Sequence, residues 1–297
     1  MKTVVVTGAA GMIGGAVLEE LSKDNDVRIV ALSRSDRSGG GSAGDIVWKK
    51  TDYSQADLEK ILDGADAVVH LAGVKGDKTE LSDFDGDILM TENILKAMET
   101  CGVRRMIYSS SRLVYADPKT IPWTEDTPPK PASAYGINKL RTEDLCREHC
   151  EKNGLQITAV RIAQVISEND RFRNMINVFR DLSIEGRPLT VIGKSVAKRQ
   201  YLYAGDLAKI IHILISDGHD GFTLMNAGMI QSYTNLEIAE AFGKAYGNDA
   251  PVSYDDSKPE TITDSVMDVS RMIGMTGFTP MDMARSLEEM AKKAARI

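Results

Sequence analysis

The stretch "VVVTGAAGMIGGAVLEEL", residues 4–21, decides the fold of this chain. A run of valines leads into a turn that carries Gly8, Gly11 and Gly14, and an apolar helical pattern follows. Glycine permits a tight turn and lets another group approach the bare backbone, while the first turn of a helix offers N–H donors and the positive end of its dipole. The pattern therefore predicts a strand, a turn and a helix that bind the phosphates of a nucleotide; a purely structural turn is the alternative.

Short apolar runs alternate with longer amphipathic stretches over the first 165 residues. Six runs rich in Val and Ile are predicted strands, at 2–8, 26–32, 45–50, 66–72, 104–110 and 156–162. Helices are predicted between them, at 12–23, 54–62, 83–100 and 134–152. Repeated alternation of this kind is typical of an α/β fold with a doubly wound parallel sheet.

The pattern changes after about residue 165. The predicted elements there are helices at 171–185, 204–216, 233–246 and 280–295, with strands within 189–203 and at 221–226. We therefore expect a Rossmann-type dinucleotide-binding domain at 1–165, to which 204–228 returns, and a smaller mixed α/β C-terminal substrate-binding region at 166–297. The stretch "SGGGSAG" (38–44) is a predicted flexible loop.

Composition limits the classes of partner. The chain has 297 residues, 42% of them apolar, and a net charge of -7, which disfavours nucleic acid because phosphate binding needs a basic face. The N-terminus lacks a signal-peptide layout and the run at 210–215 is too short to span a membrane, so we expect a cytoplasmic protein without a membrane partner. Cys146, His149 and Cys150 are expected to lie along one helix rather than bind a metal, and no metal site is predicted.

The end of the second predicted strand bears on the choice of dinucleotide. An acidic residue there would hold the ribose hydroxyls of NAD, whereas an arginine would suit the extra phosphate of NADP. Ser33 and Arg34 occupy this place, and Asp36 lies beyond the strand. The sequence therefore favours NADP, with NAD held through backbone contacts as the alternative.

A tyrosine precedes a lysine by four residues at three places: Tyr115 with Lys119, Tyr135 with Lys139, and Tyr254 with Lys258. Pro118 interrupts the first pair, and the third lies in a loop-like stretch. Only Tyr135 and Lys139 belong to a predicted helix, whose geometry places residues four apart on one face. An ammonium group beside a phenol favours the phenolate, which predicts that Tyr135 is a general base.

Eight segments, in order along almost the whole chain, resemble the extended short-chain dehydrogenase/reductase family, in particular its sugar-nucleotide epimerase/dehydratase group. They are "TGAAGMIG" (7–14), "TDYS" (51–54), "VVHLAG" (68–73), "YSSSRLVYAD" (108–117), "PASAYGINK" (131–139), "KRQYLYAGDLA" (198–208), "MNAG" (225–228) and "DVSRMIGMTGFTP" (268–280).

The resemblance implies an NAD(P)-dependent enzyme whose catalytic residues are Ser111, Tyr135 and Lys139, with Ser109 or Ser110 as alternatives to Ser111. The implied cofactor-binding residues are Gly8, Gly11, Met12, Ile13, Gly14, Ser33, Arg34, Asp52, Tyr53, Leu71, Ala72, Gly73, Tyr135 and Lys139. The implied substrate-binding residues are Ser111, Gln164, Arg199 and Lys258. Three residues differ from the family pattern: Gln164 and Asp87 replace asparagines, and Lys258 replaces an arginine that contacts phosphate.

The residues after Ser111 reduce the number of reactions that the family resemblance allows. The family's 4,6-dehydratases carry an Asp-Glu pair there, and Arg112 and Leu113 cannot do that proton transfer. The resemblance therefore implies epimerisation of a nucleotide sugar through a transient ketone. The alternatives are NADPH-dependent reduction of a keto-sugar or a smaller carbonyl compound, and a non-catalytic NADP-binding regulator. A homodimer joined through helices 83–100 and 134–152 is also implied.

Overall fold

The structure is a computed structural model that describes residues 1–37, 46–74, 78–217, 219–260 and 263–294. The predicted loop at 38–44 lies outside the described residues. The chain divides into two compact units. Unit 1 comprises Met1–Ala116, Pro128–Ile162 and Leu207–Asn226, and unit 2 comprises Asp117–Thr127, Ala163–Asp206 and Ala227–Ile297.

Within the described ranges, twelve strands and nine α-helices follow one another. The strands are β1 (Lys2–Thr7), β2 (Val27–Ser33), β3 (Ile46–Lys50), β4 (Ala67–His70), β5 (Arg105–Ser111), β6 (Gln156–Ile162), β7 (Gln164–Ile166), β8 (Leu189–Ile192), β9 (Arg199–Tyr203), β10 (Phe222–Ala227), β11 (Ser232–Tyr233) and β12 (Val252–Asp255). The helices are α1 (Met12–Leu21), α2 (Gln55–Leu62), α3 (Asp85–Cys101), α4 (Ala134–Asn153), α5 (Met175–Ile184), α6 (Ala204–Asp217), α7 (Asn235–Tyr246), α8 (Ser270–Thr276) and α9 (Met283–Ala294).

A seven-stranded sheet in the order β10-β6-β5-β4-β1-β2-β3 forms the centre of unit 1. Strand β1 pairs in parallel with both β2 and β4, so that Val5 lies opposite Val30 on one side and Val68 on the other. The chain thus winds outward in both directions from β1, and a crevice forms at the carboxyl ends of the strands where the direction reverses. The predicted doubly wound α/β fold is confirmed.

The central strands are continuously apolar because both faces of the sheet are covered. Val4, Val5 and Val6 of β1 are completely buried. On one face, apolar residues of α2, α3 and α4 form a single cluster with the strands, which includes Leu58, Ile94 and Cys146. This core holds the carboxyl ends of β1, β4 and β5 in fixed positions relative to α4.

Unit 2 has a mixed α/β structure. It contains a three-stranded sheet in the order β11-β9-β7 and a parallel pair of β12 and β8. Its core combines apolar residues of α5, α7 and α9, among them Phe179, Phe242 and Met290, with apolar residues of the strands. Strands β7, β11 and β12 and helix α8 were not predicted, because each is too short to show a hydrophobic period.

Helix boundaries follow local capping. Helix α5 begins at Met175, four residues later than predicted, because the Asn174 side chain accepts a hydrogen bond from the Asn177 N–H at 3.1 Å and caps the helix there. None of the described helices is both long enough and apolar enough to cross a membrane.

Candidate active site

The turn between β1 and α1 has the shape that its glycines predict. Gly8 has a φ of +64°, and a Cβ there would lie 2.7 Å from the backbone nitrogen of Ala72. A Cβ on Gly14 would lie 2.3 Å from the Gly8 carbonyl oxygen. Gly8 therefore allows the turn to contact the segment after β4, and Gly14 allows α1 to pack against the turn.

The N-terminus of α1 lacks a side chain that would satisfy its backbone donors. Gly11 is its N-cap residue, no side chain caps the helix, and the first turn carries no acidic residue. Met12 and Ile13, both half-buried, begin the helix. Free N–H donors and the positive end of the helix dipole suit a phosphate group, so the turn fits the pyrophosphate of a dinucleotide.

The predicted adenosine-binding residues lie at the ends of β2 and β3. Ser33 is buried at the last position of β2, and Arg34 and Asp52 are exposed. Tyr53 is buried and has a φ of +61°, a conformation that is uncommon for a tyrosine. Burial raises the pKa of Tyr53, and a hydrogen bond from the Gly8 backbone and the charge of Arg34 oppose this effect. The Gly8 backbone therefore lies at the Tyr53 hydroxyl, and Arg34 is near enough to act on Tyr53 electrostatically.

A buried histidine fixes the segment after β4. His70 Nε2 lies 3.0 Å from the Thr91 hydroxyl, which itself donates to a backbone carbonyl one helical turn earlier. Thr91 must then accept from Nε2–H, and Nδ1 accepts from Thr7 Oγ1 at 2.8 Å. Thr7 Oγ1 in turn accepts from the backbone N–H groups of Leu71 and Ala72, both at 3.1 Å. Burial lowers the pKa of His70 to about 3, so this residue is neutral and positions Leu71 and Ala72 beside the glycine turn.

Tyr135 is the second residue of α4. The Ser133 side chain caps this helix by accepting a hydrogen bond from the Gly136 N–H at 3.1 Å. A Cβ on Gly136 would lie 2.1 Å from the Leu113 carbonyl oxygen, so only glycine lets the first turn of α4 pack against the segment that follows Ser111. Among the residues that the structure describes, the Tyr135 hydroxyl has no hydrogen-bond partner, and the Tyr135 ring is half-buried.

Lys139 is 5% exposed, and its ammonium group is enclosed by oxygen atoms and aromatic rings. Its Nζ donates to the Ser109 carbonyl oxygen at 2.8 Å and lies 4.9 Å from the centre of the Tyr108 ring and 5.6 Å from that of Tyr135. Burial alone would lower the pKa of Lys139, but the phenols of Tyr108 and Tyr135 together with the Asp87 carboxyl outweigh it and raise that pKa. Lys139 therefore stays positively charged beside Tyr135.

The structure distinguishes the three serines at the end of β5. The Ser109 hydroxyl donates to the His70 carbonyl at 3.1 Å, and the Ser110 hydroxyl donates to Glu143. The Ser111 oxygen only accepts, from the backbone, and within the described part of the chain its hydroxyl hydrogen has no acceptor. Ser111 is thus the serine whose hydroxyl is available to another molecule.

Asp87 was seen in the sequence only as a departure from the family pattern, and the structure places it next to predicted site residues. A Cβ on Gly73 would lie 3.3 Å from Asp87 Oδ2 and 3.9 Å from Lys139 Nζ. The Asp87 carboxylate accepts from the Val74 N–H at 2.9 Å and from Asn138 Nδ2 at 3.4 Å. Gly73, Asp87 and Lys139 therefore meet at one point.

A buried ion pair supports the site and was not predicted. Arg161 Nη2 lies 2.6 Å from Glu143 Oε2, and the two side chains are 2% and 0% exposed. Arg161 Nη1 also donates to the Tyr115 hydroxyl at 2.6 Å, which donates to Asn226 at 3.0 Å. Ser110 also donates to Glu143. The network therefore joins β6 to α4, which carries Tyr135 and Lys139, and to β5, which carries Ser111.

The three predicted substrate-binding residues of unit 2 have different surroundings. Gln164 and Arg199 lie on the paired strands β7 and β9. Arg199 Nη2 donates to Asn235 at 2.7 Å, while its buried Nε has no partner among the described residues. Lys258 is 65% exposed and forms an ion pair with Asp255 at 3.2 Å.

Two other features of the structure contain none of the predicted site residues. A cavity of about 430 Å³ lies in unit 2 between residues 170–173 and helix α5. In α4, Cys146 and Cys150 are buried free thiols, and burial raises the pKa of Cys150 to about 11. In the described ranges, no group of three acidic, histidine or cysteine side chains could hold a metal ion.

Comparison with known proteins shows the family to which the chain belongs. The sequence profile of the NAD dependent epimerase/dehydratase family matches residues 4–228. The chain therefore belongs to the NAD-dependent epimerase/dehydratase family and is an enzyme, as predicted.

Individual relatives are similar over most of their length. The chain is 29% identical to UDP-glucose 4-epimerase 2 of Oryza sativa subsp. japonica, over 87% of this chain and 73% of that protein. It is 27% identical to the UDP-glucose 4-epimerase of Bacillus subtilis, over 99% and 96%. The solved structure of UDP-N-acetylglucosamine 4-epimerase from Bacillus cereus superposes with a TM-score of 0.90 at 29% identity, over 100% of this chain and 98% of that one.

Proposed function

We propose that this enzyme epimerises a nucleotide sugar at a hydroxyl-bearing carbon, with Tyr135, Lys139 and Ser111 as its catalytic residues. The observation that carries the proposal is that, among the described residues, the Tyr135 hydroxyl has no hydrogen-bond partner and the Ser111 hydroxyl hydrogen has no acceptor, while Tyr135 lies against the buried Lys139 ammonium. A structural role would not need two hydroxyl donors without acceptors at such a site.

Unit 1 holds the dinucleotide in this proposal. The glycine turn and the N-terminus of α1 bind the pyrophosphate, and Ser33 and Arg34 bind the adenosine ribose. The remaining contacts are assigned to Met12, Ile13, Asp52, Tyr53, Leu71, Ala72, Gly73, Tyr135 and Lys139. An arginine after β2, in place of an acidic residue, favours NADP over NAD. The bound nicotinamide supplies reversible hydride transfer at the substrate carbon.

Tyr135 moves the proton. Its phenolate takes the proton from the sugar hydroxyl as the carbon loses hydride, and its hydroxyl returns a proton to the ketone oxygen when hydride adds to the opposite face. Ser111 donates a hydrogen bond to the same oxygen and keeps it near Tyr135. Lys139 supplies the positive charge that stabilises the phenolate.

The substrate class is inferred from Arg199 and from the relatives. The unpartnered Arg199 Nε is a buried donor that fits an anionic group such as a diphosphate. The Oryza and Bacillus relatives are named for UDP-sugars. We assign Gln164 and Arg199 to the nucleotide portion of the substrate. Lys258 contributes only if it leaves Asp255.

One observation favours a second candidate function. Arg34 suits NADPH, which is commonly the reducing cofactor, and the same catalytic residues could reduce a keto-sugar or a smaller carbonyl compound. The two functions differ in cofactor use, since an epimerase regenerates its cofactor in every turnover and a reductase consumes one for each product formed.

The test incubates the purified chain and NAD(P) with UDP-glucose and UDP-N-acetylglucosamine, each in D₂O, and follows the sugar by NMR. We expect formation of the 4-epimer without net change in cofactor absorbance and without deuterium at the inverted carbon. A parallel incubation contains NADPH and keto-sugars, and stoichiometric consumption of NADPH there, without epimer formation from the UDP-sugars, would instead establish the reductase.

A further inference from the structure

Asp87 is a buried carboxylate that the proposed proton transfer does not use. It is the third residue of α3 and is 8% exposed. Its oxygen atoms accept from the Val74 N–H at 2.9 and 3.1 Å and from Asn138 Nδ2 at 3.4 Å. All of these partners donate, which fits the ionised carboxylate because this form only accepts. Burial raises the pKa of Asp87, and the Val74 N–H and the Lys139 charge act against that shift.

The carboxylate faces the predicted nicotinamide end of the site. Asp87 Oδ2 and Lys139 Nζ both lie within 4 Å of the point where Gly73 would carry a Cβ. Arg34 also acts on Asp87 electrostatically. In addition, Asn138 Oδ1 is buried there without a partner among the described residues. Asp87 thus supplies a negative charge close to the positive charge of Lys139.

The charge of the dinucleotide differs between its two redox states. The nicotinamide ring is positively charged when oxidised and neutral when reduced. A buried ammonium nearby disfavours the oxidised ring, and a carboxylate nearby favours it, because charges interact strongly where little water screens them. The relative affinity of the site for the two forms therefore depends on which charges surround it.

We propose, building on the function proposed above, that Asp87 sets the redox preference of the bound cofactor by stabilising the oxidised dinucleotide relative to the reduced one. An epimerase must begin each turnover with an oxidised cofactor, whereas a ketoreductase must begin with a reduced one. Asp87 thus makes the resting enzyme ready to oxidise a sugar hydroxyl.

The experiment compares wild type, Asp87→Asn and Asp85→Asn, each prepared as the full chain and freed of bound dinucleotide. Asp85 is an exposed residue two positions earlier in α3, so its replacement removes the same charge from the same helix. Calorimetric titrations with NADP⁺, NADPH, NAD⁺ and NADH give dissociation constants for each protein. We expect Asp87→Asn to raise the ratio of the oxidised to the reduced dissociation constant about tenfold, on the order of the effect of one nearby charge, and Asp85→Asn to leave the ratio unchanged.

Further outcomes separate this inference from the proposed function. A folded Asp87→Asn protein whose ratio stays within about twofold of the wild-type ratio overturns the inference and leaves the proposed function standing. Wild-type protein that binds none of the four dinucleotides overturns both. If Asp87→Asn does not fold, Asp87→Ser, which keeps an acceptor for Val74, replaces it. Asp87→Glu keeps the charge and should retain the wild-type ratio, which distinguishes a charge effect from a packing effect.

Discussion

The three tyrosine–lysine pairs of the sequence differ in their surroundings. Tyr115 is 3% exposed and is held by Arg161, so its hydroxyl is part of the buried network. Tyr254 is 49% exposed, in a segment whose lysine pairs with Asp255. Tyr135 alone of the three lies against a buried lysine. Spacing alone therefore gives three candidate pairs. The helical periodicity of the surrounding sequence selects the pair of Tyr135 and Lys139.

Arg34 gives a prediction about the choice of cofactor. Arg34→Ala should weaken NADP binding about tenfold or more, because a charge-assisted hydrogen bond to the extra phosphate is lost, and should leave NAD binding within about twofold. Calorimetric titration measures both affinities. Arg28→Ala removes an exposed arginine of β2, the strand that Arg34 follows, and serves as the control. An equal loss of affinity for NAD and NADP would contradict the assignment.

The sequence did not predict the location of Asp87 next to Lys139. It was recognised only as a substitution in a family pattern, because its burial and its proximity to Lys139 depend on how α3 and α4 pack, which no local pattern encodes. Arg161 and Glu143 were not predicted at all, since they meet only when α4 packs against β6.

At the scale of elements, the packing of α1 against the glycine turn gives a stability prediction. Gly14→Ala should destabilise the fold by about 1–3 kcal/mol, because its Cβ would meet the Gly8 carbonyl oxygen at 2.3 Å. Gly15→Ala, in the same helix with nothing within 4 Å of its Cβ, should stabilise the fold by about 0.5–1 kcal/mol. Urea unfolding measures both, and two variants of equal stability would show that the turn is loosely packed.

The attachment of α4 to β5 and β6 gives a second prediction. Glu143→Gln should lower the free energy of unfolding by about 3–5 kcal/mol, because it leaves the Arg161 charge buried without its partner. Glu148→Gln, an exposed residue of the same helix paired with Lys152, should change it by less than about 1 kcal/mol. The comparison uses denaturant unfolding. A small change in the free energy of unfolding for Glu143→Gln would mean that water reaches the buried network.

Long periodic elements were predictable, whereas several of the short ones were not. All four helices predicted before residue 165 are present, with α4 at Ala134–Asn153 against a predicted 134–152. Strands such as β7, with three residues, are determined by pairing with a distant partner rather than by their own pattern. The end of β5 illustrates the same limit. The sequence contains three adjacent serines there, and only the hydrogen bonds in the structure distinguish them.

At the scale of the whole molecule, we propose the homodimer that the family resemblance implies, with α3 and α4 at its interface. Leu89 of α3 is 58% exposed and is the kind of residue that such an interface would bury. Leu89→Asp should weaken dimerisation about a hundredfold, since an unpaired buried carboxylate costs about 3 kcal/mol or more. Sedimentation equilibrium measures the change. Ile184→Asp alters an equally exposed residue of α5 and should have no effect, and a monomeric wild type would refute the proposal.

The central claim is that Tyr135 transfers a proton beside a bound dinucleotide, and one comparison tests it most directly. Turnover of UDP-sugars is measured for wild type, Tyr135→Phe and Tyr254→Phe, together with dinucleotide affinity for each protein. We predict that Tyr135→Phe loses about 10²–10⁴-fold in turnover while its dinucleotide affinity stays within about threefold, and that Tyr254→Phe matches wild type in both. A Tyr135→Phe protein that epimerises sugars at the wild-type rate would contradict the account.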